Sequence, residues 1–137
     1  MQTSSKKRQT ALYVYDFVSV LYVPRLLSHF GWTCIIAVYQ ENFLEIAAEK
    51  QPDMIILDQF SINELAFCRY LKTNEKTKNI RLIVITACDE IISMALEAGA
   101  DAYLTMPVSR TELLKIIQPD IYSLGLTQEA VNCLSSR

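Results

Sequence analysis

The sequence lacks the features that mark membrane-spanning, secreted and nucleic-acid-binding chains. No apolar run approaches the roughly eighteen residues needed to cross a bilayer. Its 13 basic residues nearly balance 15 acidic ones, which gives no excess charge for nucleic acid. Residues 1–10 are polar, and Asp16 and Pro24 interrupt the apolar stretch that follows. We therefore interpret residues 1–10 as a disordered leader, and we expect a cytoplasmic protein that binds neither membranes nor nucleic acid directly.

Histidine is almost absent and cysteine is scattered, which argues against a metal cluster or a hydrolase site. The four cysteines, Cys34, Cys68, Cys88 and Cys133, form no C-x-x-C pair, so we interpret them as reduced thiols, three of them within apolar elements. His29 is the single histidine and lies near the end of a predicted helix. Because no Ser-His-Asp or Cys-His arrangement can be placed around it, we predict that the protein is not an enzyme.

Short apolar runs alternate five times with stretches of helical spacing. The predicted strands are residues 11–15, 33–38, 54–57, 82–86 and 101–105, and the predicted helices are residues 19–30, 41–50, 62–71, 89–98 and 109–118. The run 54–57 contains only large aliphatic residues, as in strands of a parallel sheet that helices cover on both faces. The pattern predicts one α/β domain over residues 11–118: a flavodoxin-like, doubly wound five-stranded parallel sheet of order 2-1-3-4-5, in three layers α/β/α.

Carboxylates follow two of these strands where each strand ends. Asp16 follows strand 1 and Asp58 follows strand 3, and the predicted order makes these strands neighbours. Two adjacent carboxylates repel each other unless a cation or a proton intervenes, and Mg²⁺ is a cation that needs only one or two carboxylates. Thr86 ends strand 4 at the same edge, and Met106 lies just beyond strand 5. The competing explanation is that the two aspartates only cap turns or helices.

A flavin site at this edge is not expected. Flavin phosphate is held by backbone amides of a loop rich in Ser, Thr and Gly after strand 1, whereas residues 17–20 contain no glycine.

Three segments give the sequence a specific family resemblance: Asp53–Asp58, Leu82–Ala87 and Glu97–Pro107. The last is close to the pattern E-A-G-A-D-x-Y-L-x-K-P. With these segments the chain resembles the receiver domain of two-component response regulators over roughly residues 11–118.

The resemblance implies a role for each residue at the predicted edge. Asp58 is the phosphoacceptor that attacks a phosphodonor, and Asp16, Asp58 and the backbone carbonyl of Phe60 are the Mg²⁺ ligands. Thr86 contacts the phosphoryl group, and Tyr103 is the aromatic residue that turns inward on activation. The structural alternative is that Thr86 merely suits a strand and that Tyr103 belongs to the core.

The chain departs from the family pattern at this same edge. Strand 1 ends in Tyr15-Asp16 where the family has two acids, and Met106 replaces the lysine that pairs with the phosphoryl group. The loop after Asp58 is about two residues shorter than usual by our alignment and lacks the customary Pro and Gly. We expect weakened Mg²⁺ binding, and we expect Tyr15 and Met106 to fill part of the pocket with apolar packing.

Two functions follow from these observations. The favoured one is an atypical receiver, or pseudo-receiver, that acts in signal transduction as a protein-interaction module, with phosphorylation of Asp58 lost or strongly impaired. The alternative is a conventional phosphoacceptor that receives phosphate from a histidine kinase on Asp58 with Mg²⁺. The resemblance implies protein partners in either case: a histidine kinase, an output domain, another signalling protein, or a second copy bound through the helix 4–strand 5–helix 5 face.

Two further expectations concern the surface and the C-terminus. The apolar residues Phe17, Val18, Phe60 and Ile62 suggest an apolar interaction patch beside the carboxylates, with burial in the core as the competing explanation. Residues 119–137 are predicted to be a C-terminal extension with a short helix from about residue 127. The chain is then either a receiver alone or a fragment of a longer protein.

Overall fold

The fold is the predicted alternation of five strands and five α-helices. A computed structural model describes residues 8–16 and 21–118. The strands are β1 (Thr10–Tyr15), β2 (Thr33–Val38), β3 (Met54–Leu57), β4 (Arg81–Thr86) and β5 (Ala102–Thr105). The helices are α1 (Tyr22–His29), α2 (Phe43–Lys50), α3 (Leu65–Thr73), α4 (Asp89–Glu97) and α5 (Arg110–Ile117), and a 3₁₀ turn (Ile62–Glu64) precedes α3.

All five strands pair in parallel in one sheet. The order is β2-β1-β3-β4-β5, which confirms the predicted fold class. The central strand β3 pairs with β1 and β4, and its four residues are at most 1% exposed. An aliphatic run without polar alternation suits this position because helices cover both of its faces.

Two hydrophobic clusters lie on opposite faces of the sheet. Alternate residues of a strand point to opposite faces, so Leu12, Ile55 and Val84 join the cluster packed against α2, α3 and α4. Tyr13, Ile56 and Ile83 join the other cluster, which packs against α1 and α5. The three-layer arrangement follows directly from these two clusters.

Capping at the starts of two helices differs from the prediction. The S-x-x-E pattern at Ser109–Glu112 predicts a capping box, but only half of it is present within the described residues: Ser109 Oγ accepts from Glu112 N at 3.0 Å, while the Glu112 carboxylate lies 3.6 Å from Lys115 Nζ. The complete box is instead at Ser61 and Glu64. The predicted third helix therefore begins with a 3₁₀ turn, and α3 starts at Leu65.

The prediction that residues 1–10 form a disordered leader is wrong for the last of these residues. Thr10 belongs to β1, and its N–H donates to Asp53 Oδ2 at 2.8 Å. Arg8 Nε donates to the carbonyl of Gly31 at 2.9 Å. Polarity alone could not reveal these partners, because both belong to distant parts of the chain. The predictions for residues 1–7, and the C-terminal extension at 119–137, lie outside the described residues.

The described cysteines differ in their burial. Cys68 is buried and Cys34 is half-buried, and burial raises the pKa of each thiol to about 11, so both are poor nucleophiles. Cys88, which lies between β4 and α4, is exposed. Across the described ranges, no helix combines the length and apolarity that a membrane crossing requires.

Two glycines with positive φ provide a matched test of backbone strain and packing. Gly99 has φ +112°, and a Cβ there would lie 2.7 Å from Lys72 Cβ, whereas Gly31 has φ +91° and open space around it. We expect Gly31→Ala to lower the free energy of unfolding by about 1–2 kcal/mol through strain alone. Gly99→Ala should cost about 1–3 kcal/mol more, because Lys72 is displaced as well. Urea denaturation of both variants measures this; equal losses would refute the packing argument.

Candidate functional site

The predicted residues of the site do meet at one edge of the sheet. Val14 pairs with Leu57, so the segments that follow them, Tyr15-Asp16 and Asp58, lie side by side. Thr86 pairs with Thr105 at the end of β4 and β5. The carboxyl ends of the strands therefore bring the predicted residues together, as expected for this class of fold.

Asp58 is buried and hydrogen-bonded at all three of its oxygens. Its exposed fraction is 6%. The Tyr13 hydroxyl donates to Oδ2, and the backbone N–H of Gln59 donates to Oδ1 at 2.7 Å. The Tyr39 hydroxyl donates to the backbone carbonyl at 2.6 Å. A carboxylate that loses water on folding needs such donors, because an unpaired buried charge is strongly unfavourable.

Tyr13 is the partner that the sequence did not reveal. It lies on β1, fully buried, with its ring stacked on that of Tyr15 at a centroid distance of 6.0 Å. A strand rises about 3.3 Å per residue, so a residue two positions below Tyr15 needs a long side chain to bring a polar group to the edge. The spacing Tyr13-x-Tyr15-Asp16 was visible, but it predicted only a strand.

Tyr39 holds the backbone of Asp58 from the other side of the sheet. It follows β2, and its ring stacks on Phe67 at 5.9 Å and meets Phe43 edge-on at 5.7 Å. Burial, followed by the nearby Glu64 and Asp58 charges, raises the pKa of Tyr39 well above its usual value. The hydroxyl therefore stays protonated and remains a donor to the Asp58 carbonyl.

Gln59 links the two aspartates. Its side-chain Oε1 accepts from Asp16 N at 2.8 Å, while its own N–H donates to Asp58. Its φ of +52° is left-handed, a conformation that costs a non-glycine residue about 1–2 kcal/mol. The altered loop after Asp58 thus uses a glutamine, and not a glycine, to turn and to bind both neighbouring segments.

The Asp58 carboxyl group has a raised pKa. Desolvation by burial is the largest cause, and the hydrogen bonds from Tyr13 and Gln59 oppose it without cancelling it. Desolvation penalises the charged form, so the site favours the ionised carboxylate less than water does.

Thr86, Tyr103 and Met106 occupy the positions predicted from strand ends but differ in burial. Thr86 is 2% exposed, and its Oγ1 accepts from Cys88 N at 3.2 Å, at the start of α4. Tyr103 is 43% exposed and Met106 is 48% exposed. Tyr103 therefore lies outward, and the expectation that Met106 fills the pocket is wrong. Tyr15, by contrast, does pack against the cluster under α1 and α5.

Of the residues predicted to form an apolar patch, Phe60 is buried and Ile62 is exposed. Phe60 is 2% exposed within the cluster under α2, α3 and α4, and its N–H donates to the carbonyl of Ile85 at 2.8 Å. Ile62 is 55% exposed, while Phe17 and Val18 lie outside the described residues. Burial in the core, the competing explanation, is correct for Phe60.

The carboxylates of this edge already accept hydrogen bonds from groups inside the protein. Asp16 Oδ1 accepts from Gln40 Nε2 at 3.1 Å, and both oxygens of the Asp58 carboxyl group already accept hydrogen bonds. Within the described ranges, no group of three or more His, Cys, Asp or Glu residues could hold a metal ion. A hard cation at this edge would compete with internal donors for its ligand oxygens.

The raised pKa of Asp58 predicts a pH-dependent effect of Asp58→Asn. A raised pKa in the folded state means that this group's contribution to stability is fully present below its unfolded pKa and is lost as pH rises through its folded pKa. The free energy of unfolding of the wild type, minus that of Asp58→Asn, should therefore fall as pH rises from about 3.9, the ordinary pKa of an aspartate, towards pH 7. Urea denaturation across this range measures it.

A second variant separates ionisation from hydrogen bonding in that experiment. Asp58→Ala removes the same titrating group but also the acceptor for Tyr13 and Gln59, so its offset should be larger and its pH dependence the same. A difference that does not change with pH would contradict the assignment.

Comparisons with known proteins point to one family. No protein-family model matches the sequence. The phosphate regulon transcriptional regulatory protein PhoB of Pseudomonas aeruginosa is 33% identical over 88 residues, which are 61% of this chain and 38% of that protein. The response regulator MprA of Mycobacterium leprae is 33% identical over 98 residues, 69% of this chain and 42% of that protein. The match thus spans about two fifths of the length of these relatives.

Solved structures share the fold. A response regulator structure from Chloroflexus aurantiacus superposes with a TM-score of 0.74 at 22% identity, covering 85% of this chain and 99% of that one. The receiver domain of the sensor histidine kinase PA1611 from Pseudomonas aeruginosa, solved with a magnesium ion in its active-site cleft, gives a TM-score of 0.67 at 22% identity, covering 82% and 97%. Sequence relatives and fold together support the assignment of this chain as a receiver domain of the response-regulator type.

Proposed function

We propose that this receiver domain acts in signalling as a protein-interaction module in which phosphorylation of Asp58 is lost or strongly impaired. One observation carries the proposal: both carboxylate oxygens of Asp58 are hydrogen-bonded inside the protein, by Tyr13 and Gln59. The carboxylate at the centre of the site therefore already has hydrogen-bond donors from within the protein.

Phosphoryl transfer to an aspartate needs a carboxylate oxygen that is free to attack. An Asp58 oxygen would form a bond to phosphorus, and the bond from phosphorus to the donor would break, with the donor keeping the electron pair. A donor hydrogen bond to that oxygen draws electron density from it and must weaken before attack. The 6% exposure of Asp58 also restricts the approach of a phosphodonor.

Met106, at the position of the family's lysine, does not compensate for the restricted reactivity of Asp58. Met106 carries no charge and cannot donate a hydrogen bond. A preorganised donor at developing negative charge is worth about 10²–10³-fold in rate. Its loss and the internal bonding of Asp58 both act against phosphorylation.

Apolar residues at the α4–β5 side supply a surface for a protein partner. Met94 and Leu96 on α4, Tyr103 on β5 and Met106 just after it are between 36% and 48% exposed. Exposed apolar side chains in one region favour protein contact. A histidine kinase, an output domain or a second copy of this chain are the partners that the family resemblance suggests for this face.

The retained residues support a conventional phosphoacceptor as the second candidate. Asp16, Asp58 and Thr86 share the sheet edge, and the related PA1611 receiver holds magnesium in its active-site cleft. In this alternative Asp58 accepts phosphate from a histidine kinase, and Mg²⁺ displaces the internal hydrogen bonds.

An NMR titration distinguishes the two candidates. We expect amide signals of Asp58, Thr86 and Tyr103 to stay in place when Mg²⁺ and then beryllofluoride, a mimic of the aspartyl phosphate, are added at millimolar concentration. The internal donors already occupy the carboxylate, which is the reason for this expectation.

Two controls make the titration decisive. The PA1611 receiver domain, in the same buffer, should respond to Mg²⁺, and Asp58→Asn reports any non-specific shifts. Saturable shifts in the wild type that spread into α4 and disappear in Asp58→Asn would establish the conventional phosphoacceptor and reject our proposal.

A further inference from the structure

We propose that Tyr13 is the residue that keeps Asp58 from accepting a phosphoryl group, and that loss of its hydroxyl alone returns phosphoryl acceptance to Asp58. This inference rests on the proposed function, because it presumes that acceptance is impaired in the wild type. It assigns to one internal side chain a share of the impairment that is separate from the absence of a lysine at Met106.

Tyr13 contacts the reactive group itself. Its hydroxyl donates to Oδ2 of the Asp58 side chain, whereas Tyr39 donates only to the Asp58 backbone carbonyl. Gln59 donates to Oδ1 from its backbone, as a residue that directly follows the aspartate readily does. Of the two hydrogen bonds to the Asp58 carboxylate described here, only the one from Tyr13 comes from a side chain, so it can be removed without altering the backbone.

The packing of the Tyr13 ring holds its hydroxyl against the Asp58 carboxylate. Tyr13 is 0% exposed, stacks on Tyr15 and packs in the cluster beneath α1 and α5. A ring packed in this way moves off its partner only if neighbouring side chains move as well. A phosphodonor or cation must therefore compete with the Tyr13 hydroxyl for Oδ2.

Burial also limits access to the lone-pair sites of the Asp58 carboxylate that Tyr13 and Gln59 leave unoccupied. An ionised carboxylate has about four lone-pair sites, and internal donors use at least two of them. With 6% of Asp58 exposed, the remaining directions have little access from solvent. Removing the phenol oxygen frees that acceptor site on Oδ2.

Tyr13→Phe tests the assignment, with Tyr39→Phe as its matched control. Both variants delete one phenol oxygen that is hydrogen-bonded to Asp58, but only Tyr13→Phe removes a hydrogen bond to the carboxylate. Each protein is incubated with Mg²⁺ and acetyl phosphate, and acyl-phosphate formation is followed by intact mass and hydroxylamine sensitivity. Because a hydrogen bond to a charged group contributes a factor of about 10–100 in an equilibrium, we expect Tyr13→Phe to raise the rate about 10–100-fold and Tyr39→Phe to change it less than about twofold.

The outcomes separate this inference from the proposed function. A gain in Tyr13→Phe that disappears in Tyr13→Phe/Asp58→Asn supports both. A wild type phosphorylated as fast as the PA1611 receiver would overturn the proposed function and this inference with it. A silent wild type together with a folded but equally silent Tyr13→Phe would overturn this inference alone, as would an equal gain in Tyr39→Phe.

A measurement on other variants keeps the test valid if Tyr13→Phe does not fold. With tyrosines labelled with ¹³C at Cζ, the Tyr13 signal should shift in Asp58→Asn, because its acceptor changes from a carboxylate to a neutral amide. The signals of Tyr70 and Tyr103, which are 48% and 43% exposed, should stay in place. An unchanged Tyr13 signal would show that the phenol does not engage the carboxylate and would overturn the proposal.

Discussion

The hydrogen bond from the Tyr13 hydroxyl to the buried Asp58 carboxylate is the interaction on which this edge of the sheet depends. It joins β1 to the end of β3, the two strands at the centre of the fold. Because a buried carboxylate is tolerated only with donors around it, Gln59 and Tyr39 complete the set that Tyr13 begins. Together the three residues place a hydrogen-bond donor on each oxygen of Asp58.

Scaffold and site have diverged to different degrees. The scaffold keeps the strand order and the two hydrophobic layers that it shares with solved receiver structures. The site keeps Asp16, Asp58 and Thr86, but side-chain and backbone donors inside the protein bond to all three. A receiver that signals through a fixed surface needs the scaffold and tolerates such a site, which is the physical reason that we favour an interaction module.

The sequence predicted the core better than the boundaries of its helices. Aliphatic runs such as Met54–Leu57 can be satisfied only by burial on both faces, so all five strands were found to within about one residue. Helix starts depend on which of several capping side chains turns toward the backbone. Ser61 and Ser109 carry the same S-x-x-E pattern, and only Ser61 forms the full box, since Glu112 turns toward Lys115 instead.

By itself, the sequence determined the α/β class, the strand order and the meeting of Asp16, Asp58 and Thr86 at one edge, because apolar periodicity and chain topology fix where strand ends lie. Only the tertiary structure decided what those residues bind. Tyr13 is two residues from its strand end and 45 residues from Asp58 along the chain, so their contact depends on side-chain length, pleat direction and register acting together. The exposure of Tyr103 and Met106 to solvent likewise depends on side-chain packing, which the apolar pattern of a strand does not predict.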